Sequence, residues 1–296
     1  MTVTAEKTTS RATYALDIED VEYVRHGDQP LLVKLFKPKG AGPFPILVDL
    51  HGGAWCNGDR HNDNLLNEAL AKTGILVAAV DFRQPPQGGY PASFADINYA
   101  IRWLKANAKK WNARADRVGV VGISSGGHQG MLGAMRPEDP RYAAIPFTGG
   151  AKVDARVSCV VMLWPVIDPI GRYRTAKAAV AKGGNYPEQF ARVLPSHDKY
   201  WGSEAAMEEG APATALEKGE KVELPPVLYI QGGADQVHPR DQLDRFVAAY
   251  RKRGGSVDLN FYDDEVSGFI TGAAKHPANA SAALAKTIDF LHRRLA

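Results

Sequence analysis

The chain has 296 residues, 45% of them hydrophobic and 23% charged, with a formal net charge of +3. That apolar fraction can fill a core, which excludes a disordered chain, and two cysteines, Cys56 and Cys159, exclude a disulfide scaffold. The 36 cations against 33 anions form no basic stripe interleaved with aromatics, so nucleic acid is not an expected partner.

In chain order, Met1 to Asp20 lacks a basic head followed by an apolar run. The expectation is no secretory signal and a cytoplasmic chain, with no membrane span anywhere. Val21 to Arg25 and Leu31 to Phe36 alternate and read as an antiparallel edge. Pro45 to Leu50 reads as a buried strand, and Leu65, Leu66, Ala69 and Leu70 as a helix face ended by Gly74. Ile75 to Val80 is a strand, and Phe94, Ile97, Ile101 and Leu104 mark a second helix. Strands follow at Val118 to Ile123, Val157 to Leu163, Val227 to Ile230 and Val257 to Tyr262. Helices are expected over His128 to Met135, around Leu243 to Tyr250, and from Leu284 to Leu295. Near-continuous apolar strands alternating with helices predict an α/β fold, a mostly parallel sheet covered on both faces. Asp168 to Leu224 breaks the rhythm with helical fragments and no strand, which suggests a cap inserted into a single domain.

Three strand ends carry chemistry. Gly122-Ile123-Ser124-Ser125-Gly126 follows a strand and precedes a helix, the setting of a nucleophile elbow. The register selects Ser124, because Ser125 would need Gly at position 123. His51-Gly52-Gly53-Ala54-Trp55 follows another strand, and its N–H groups with that of Ser125 could stabilise an oxyanion. Gly53 is the firmest donor; Gly52 and Ala54 compete for the other place, and His51 reads as a brace for the loop. Gly232-Gly233-Ala234-Asp235 follows a third strand, where a carboxylate can orient an imidazole or simply sit in a turn. Trp55 and Trp164, beside motif loops, are candidate substrate-lining residues. No His, Cys or Asp spacing suggests a metal, and no cofactor is expected.

These motifs occur together with Asp81-Phe82-Arg83, Tyr90-Pro91-Ala92, Asp116-Arg117-Val118, Trp164-Pro165-Val166-Ile167-Asp168 and Pro225-Pro226-Val227-Leu228. In that order the sequence resembles the α/β-hydrolase superfamily over about residues 20–295. It is most similar to the esterase/lipase group of hormone-sensitive-lipase-like, acetyl and feruloyl esterases and kynurenine formamidases. The resemblance implies Ser124 as nucleophile, Asp235 as acid, and Gly52, Gly53 and Ser125 as oxyanion donors. It implies structural roles for Arg83 and Asp96, a small ester or amide as substrate, and surfaces that often dimerise.

One position departs from the pattern. The group's general base is a His before Gly-Phe, and here Ser267 precedes Gly268-Phe269. A hydroxyl cannot take a proton near neutrality as an imidazole can. Three readings follow: an esterase impaired at this step, a ligand-binding protein on a hydrolase scaffold (as in the plant gibberellin receptors), or a variant using another histidine or lyase-type chemistry. Of the stand-ins, His128 reads as structural, while His276 and His238, each before a proline, read as solvated turn residues.

Overall fold

The computed structural model describes residues 13–148, 152–272 and 274–296. Most of Met1 to Asp20, the stretch read for a leader, lies outside the described residues. Eight strands form one sheet: β1 (Leu16–His26), β2 (Gln29–Pro38), β3 (Phe44–Leu50), β4 (Leu76–Val80), β5 (Ala113–Ile123), β6 (Cys159–Leu163), β7 (Val227–Gly232) and β8 (Val257–Tyr262). Their order is β1-β2-β4-β3-β5-β6-β7-β8. The alternating N-terminal strands form the expected antiparallel edge, and β4 to β8 run parallel with β3.

Helices cover both faces because successive strand residues point to opposite sides. On one face α1 (Asn64–Ala71) and α9 (Pro277–Leu295) bring Leu70, Phe290 and Leu291 against Leu47, Val121 and Leu228. On the other, α2 (Ala92–Asn107) packs Ile97, Ile101 and Leu104 on Val48, Val80 and Val120. Beside it, α3 (Ser125–Met135) and α8 (Arg240–Lys252) pack Met131, Leu243 and Phe246 on Met162 and Tyr229. Between β6 and β7 the described chain forms four helices and no strand: α4 (Pro169–Lys182), α5 (Glu188–Trp201), α6 (Glu204–Glu209) and α7 (Pro212–Glu217). Asp168 caps α4, accepting from the Gly171 N–H at 2.9 Å, and pairs with Arg245 at 2.8 Å. Arg83 and His26 converge on the fully buried Asp96, which ties β1 and the loop after β4 to α2. Among the described residues no helix is long and apolar enough to cross a membrane.

Beneath the His51 loop the fold buries two carboxyls. Asp49 accepts from Asn67 Nδ2 at 2.7 Å, but its Oδ1, like Oδ2 of Asp63, has no hydrogen-bond partner among the described residues. Burial holds Asp49 well above the usual carboxylate range, with the charge of Asp63 adding to it. Asp63 itself is pushed up to about 6 by burial. The native state therefore keeps protons that the unfolded chain releases above about pH 4, and stability falls as pH rises from there past the native values. Asp49→Asn removes that cost. It should raise stability by about 1–2 kcal/mol at pH near 8 and by much less near pH 5. Thermal melts of both proteins at the two pH values check this; an equal change at both would contradict it.

Candidate active site

Ser124 sits between the end of β5 and the start of α3, at φ 51° and ψ −114°. That conformation is uncommon for a residue with a Cβ and has to be imposed by its surroundings. The Ser124 N–H donates to the Leu163 carbonyl at 3.0 Å, and the Val166 N–H donates to the Ser124 carbonyl at 3.0 Å. Both bonds tie the bend to the end of β6. The glycines of the motif answer to crowding: a Cβ on Gly126 would lie 1.9 Å from the Leu50 carbonyl oxygen, and one on Gly122 would lie 2.4 Å from that of Gly126. Only with both positions bare can strand and helix meet tightly enough to push the serine out.

The group that meets Ser124 is His238. The Ser124 Oγ–H donates to His238 Nε2 at 3.1 Å, and His238 Nδ1–H donates to Asp235 Oδ2 at 2.7 Å. A carboxylate only accepts, so the second bond fixes the proton on Nδ1 and leaves Nε2 bare toward the serine. His238 is 7% exposed. The expectation of a solvated turn residue is therefore corrected. The turn after β7 folds on itself, because Asp235 Oδ1 accepts from the N–H groups of Val237 (2.8 Å) and His238 (3.2 Å). Pro239 then leads directly into α8, whose Leu243 and Phe246 anchor it on the sheet. Asp235 and His238 thus come from one turn, three residues apart. Burial opposes ionisation of Asp235, but the charge and hydrogen bond of His238 and the two backbone donors hold it below the usual carboxylate range.

A cleft of about 740 Å³ opens over this group. Gly53, Ala54, Trp164, Val237 and Ser267 line it together with residues of α4 and α5. Ser267 is brought to the site, as its motif position implies, but among the described residues it bonds neither Ser124 nor Asp235. Ser125 opens α3, so its N–H lacks a helical acceptor. No acceptor among the described residues takes the N–H of Gly53 or Ala54. Gly53 is required in its place, since its φ is +118° and a Cβ would lie 1.9 Å from the Asn57 carbonyl oxygen. Gly52 does not line the cleft; its Cα faces the elbow, where a Cβ would approach Ile123 O at 3.2 Å. His51 stacks on Phe82 at 4.4 Å and bonds through Nδ1 to the Gly52 carbonyl, as a brace should.

Trp164 lines the cleft, whereas Trp55 does not. Trp55 is 1% exposed and packs against His128, His197, Tyr200 and Trp201 with ring centroids 5.0–5.6 Å apart. The reading of Trp55 as a substrate-lining residue is therefore corrected. Ala54 and Trp55 both have positive φ, 51° and 62°, and this reversal carries the indole under the helices rather than into the cleft. His128 accepts from Trp55 Nε1 at 3.3 Å and bonds through Nε2 to the Gly210 carbonyl at 2.8 Å. Burial pushes it down to about 4, so it is a neutral strut between α3 and the inter-strand helices. His276 precedes Pro277 at the start of α9, half exposed, with its Nε2 3.5 Å from Asp264. Glu265 is buried; its carboxylate accepts from the Lys275 and His276 N–H groups and holds the loop that carries Ser267.

Residues 33–250 match the BD-FAE family. Esterase LipC of Mycobacterium tuberculosis is 27% identical over 91% of the chain and 65% of its own length. The isoprenylcysteine alpha-carbonyl methylesterase ICME of Arabidopsis thaliana is 25% identical over 80% of the chain and 54% of its own length. The chain thus spans about half to two thirds of the length of these relatives. Among solved structures, an esterase of Pyrobaculum calidifontis superposes with a TM-score of 0.75 at 20% identity, covering 96% of this chain and 88% of the other. Thermogutta terrifontis esterase 2 gives 0.72 at 19% identity, covering 93% and 94%. The fold is that of the α/β-hydrolases.

Proposed function

The chain belongs to the BD-FAE family, and from that premise we propose that it is a serine carboxylic-ester hydrolase that works through an acyl-enzyme, with His238 as its base. The observation that carries this reading is the unbroken chain Ser124 Oγ to His238 Nε2 to Asp235 Oδ2, at 3.1 and 2.7 Å. The esterase names of the relatives support the substrate class.

His238 Nε2 takes the Ser124 proton as Oγ attacks the ester carbonyl. Negative charge moves to the carbonyl oxygen, which the N–H groups of Gly53, Ala54 and Ser125 stabilise. Asp235 stays ionised and stabilises the imidazolium. The C–O bond to the alcohol breaks, and the imidazolium returns its proton to the leaving oxygen. Water then attacks the acyl-serine with His238 again as base, releasing the acid and restoring Ser124. Ser267 takes no part in the proton transfers. On this reading the chain is not an impaired esterase; its base stands three residues after its acid instead of on the loop after β8.

The test is hydrolysis of p-nitrophenyl acetate by the full chain and by Ser124→Ala, with a fluorophosphonate probe and peptide mapping. The expected result is turnover lost in the variant by about five or six orders of magnitude and a single labelled serine, Ser124. Equal rates for the two proteins, or label on another residue, would overturn the reading.

A further inference from the structure

The cleft that holds Ser124 also holds a charge that the hydrolytic machinery does not use. Arg172, on α4, is 1% exposed and lines the cleft. Its Nε donates to His197 Nε2 at 3.4 Å, and its guanidinium lies 5.3 Å from the centre of the Trp55 ring. Neither terminal nitrogen donates to a protein acceptor among the described residues, and Nη2 is buried without a partner. His197 cannot balance the charge: its Nδ1 bonds to the Val193 carbonyl, and burial with the nearby Arg172 charge pushes it down to about 3. Among the described residues no carboxylate forms an ion pair with Arg172. Burial lowers Arg172 itself to about 9, opposed only by the more distant charge of Asp235.

A buried cation with unused donors is costly unless something of opposite charge meets it. Arg192, one turn into α5, lines the same cleft, is exposed, and pairs with no carboxylate among the described residues. Gln189 and Ser196 add neutral donors beside it. The terminal nitrogens of Arg172, unpaired among the described residues, and the exposed guanidinium of Arg192 are donors of the kind a carboxylate takes. Among the described residues no acidic side chain lines the cleft.

We propose that the preferred substrate is an ester that also carries a carboxylate, held by Arg172 and Arg192 while its ester carbonyl sits at Ser124. This deepens the ester-hydrolase reading and rests on it. It predicts selectivity between substrates of equal size and different charge.

Two matched pairs test it with the full chain. One is the mono-p-nitrophenyl ester of glutaric acid against p-nitrophenyl valerate, which differ by carboxylate for methyl on the acyl side. The other is 4-acetoxybenzoate against 4-methylphenyl acetate, which differ the same way on the alcohol side. In at least one pair the charged member should have the higher kcat/KM, by about ten- to a hundredfold, chiefly through KM. R192Q and R172Q should each reduce that charged-to-neutral ratio about tenfold, and R172K should restore part of it. Because R192Q replaces an exposed side chain, it remains informative if the buried R172Q fails to fold. A ratio near one in both pairs, or a ratio that neither variant moves, overturns the proposal. If no ester is turned over and the hydrolase reading falls, calorimetric titration of glutarate and 4-hydroxybenzoate decides the matter separately. Binding weakened by R192Q would support the carboxylate site, and no binding of either would sink it.

Discussion

His238→Ala should lose about five to six orders of magnitude in kcat for p-nitrophenyl acetate, as much as Ser124→Ala does. Among the described residues the one side-chain partner of the serine hydroxyl is His238 Nε2, at 3.1 Å. Removing the imidazole leaves Oγ protonated and leaves the carboxylate of Asp235, its side chain 1% exposed, without its imidazole donor. Oxyanion donors and binding would still supply roughly 10³–10⁴ over water, so the variant should not fall to the uncatalysed rate. The companion is Ser267→Ala, which should change kcat by less than tenfold. Loss of equal size in the two variants would refute His238 as the base, and so would survival of activity in His238→Ala. The measurement is steady-state kinetics on both variants with matched melting curves, so that loss of folded protein is not read as loss of chemistry.

That contrast marks where the sequence was legible and where it was not. The parallel core was readable because β3, β4, β6, β7 and the second half of β5 from Val118 are buried on both faces, and so appear as apolar runs. The elbow was readable because its motif places both glycines around the serine, although only Gly122 answers to a sequence neighbour, Gly126, while Gly126 answers to Leu50 at the end of β3. His238 was not. It is 7% exposed and its side chain meets Ser124, 114 residues earlier in the chain, and nothing in Gln236-Val237-His238-Pro239 records that approach. One local signal existed: an acid and a histidine three apart, just past a strand, lie within hydrogen-bond reach if the chain turns there. Trp55 failed in the opposite way. Its neighbours in sequence line the cleft, but two left-handed residues reverse the chain and bury the ring. Arg172 carried no signal at all, because an arginine early in a helix reads as solvent-facing until α5 is seen packed across it.

Asp235→Asn should lower kcat by about 10⁴ while leaving the turn folded. The amide oxygen can replace Oδ1 in accepting from the Val237 and His238 N–H groups, so the local backbone keeps its ties. The amide nitrogen then faces His238 Nδ1 where Oδ2 stood, and it can only donate. His238 must answer by moving its proton to Nε2, which turns the atom facing Ser124 from acceptor into donor. The serine loses its base although every heavy atom stays in place. The loss of the negative charge also removes the stabilisation of the imidazolium that forms as the serine attacks. Asp235→Ala would lose the same electrostatic support together with the two backbone bonds, and should melt lower than Asp235→Asn. If the asparagine variant turned over ester within tenfold of the parent, orientation and charge support of the imidazole by this carboxylate would both be refuted, because the swap removes the two together. Imidazole proton resonances read the same event directly: the Nδ1–H signal expected far downfield in the parent should vanish in Asp235→Asn.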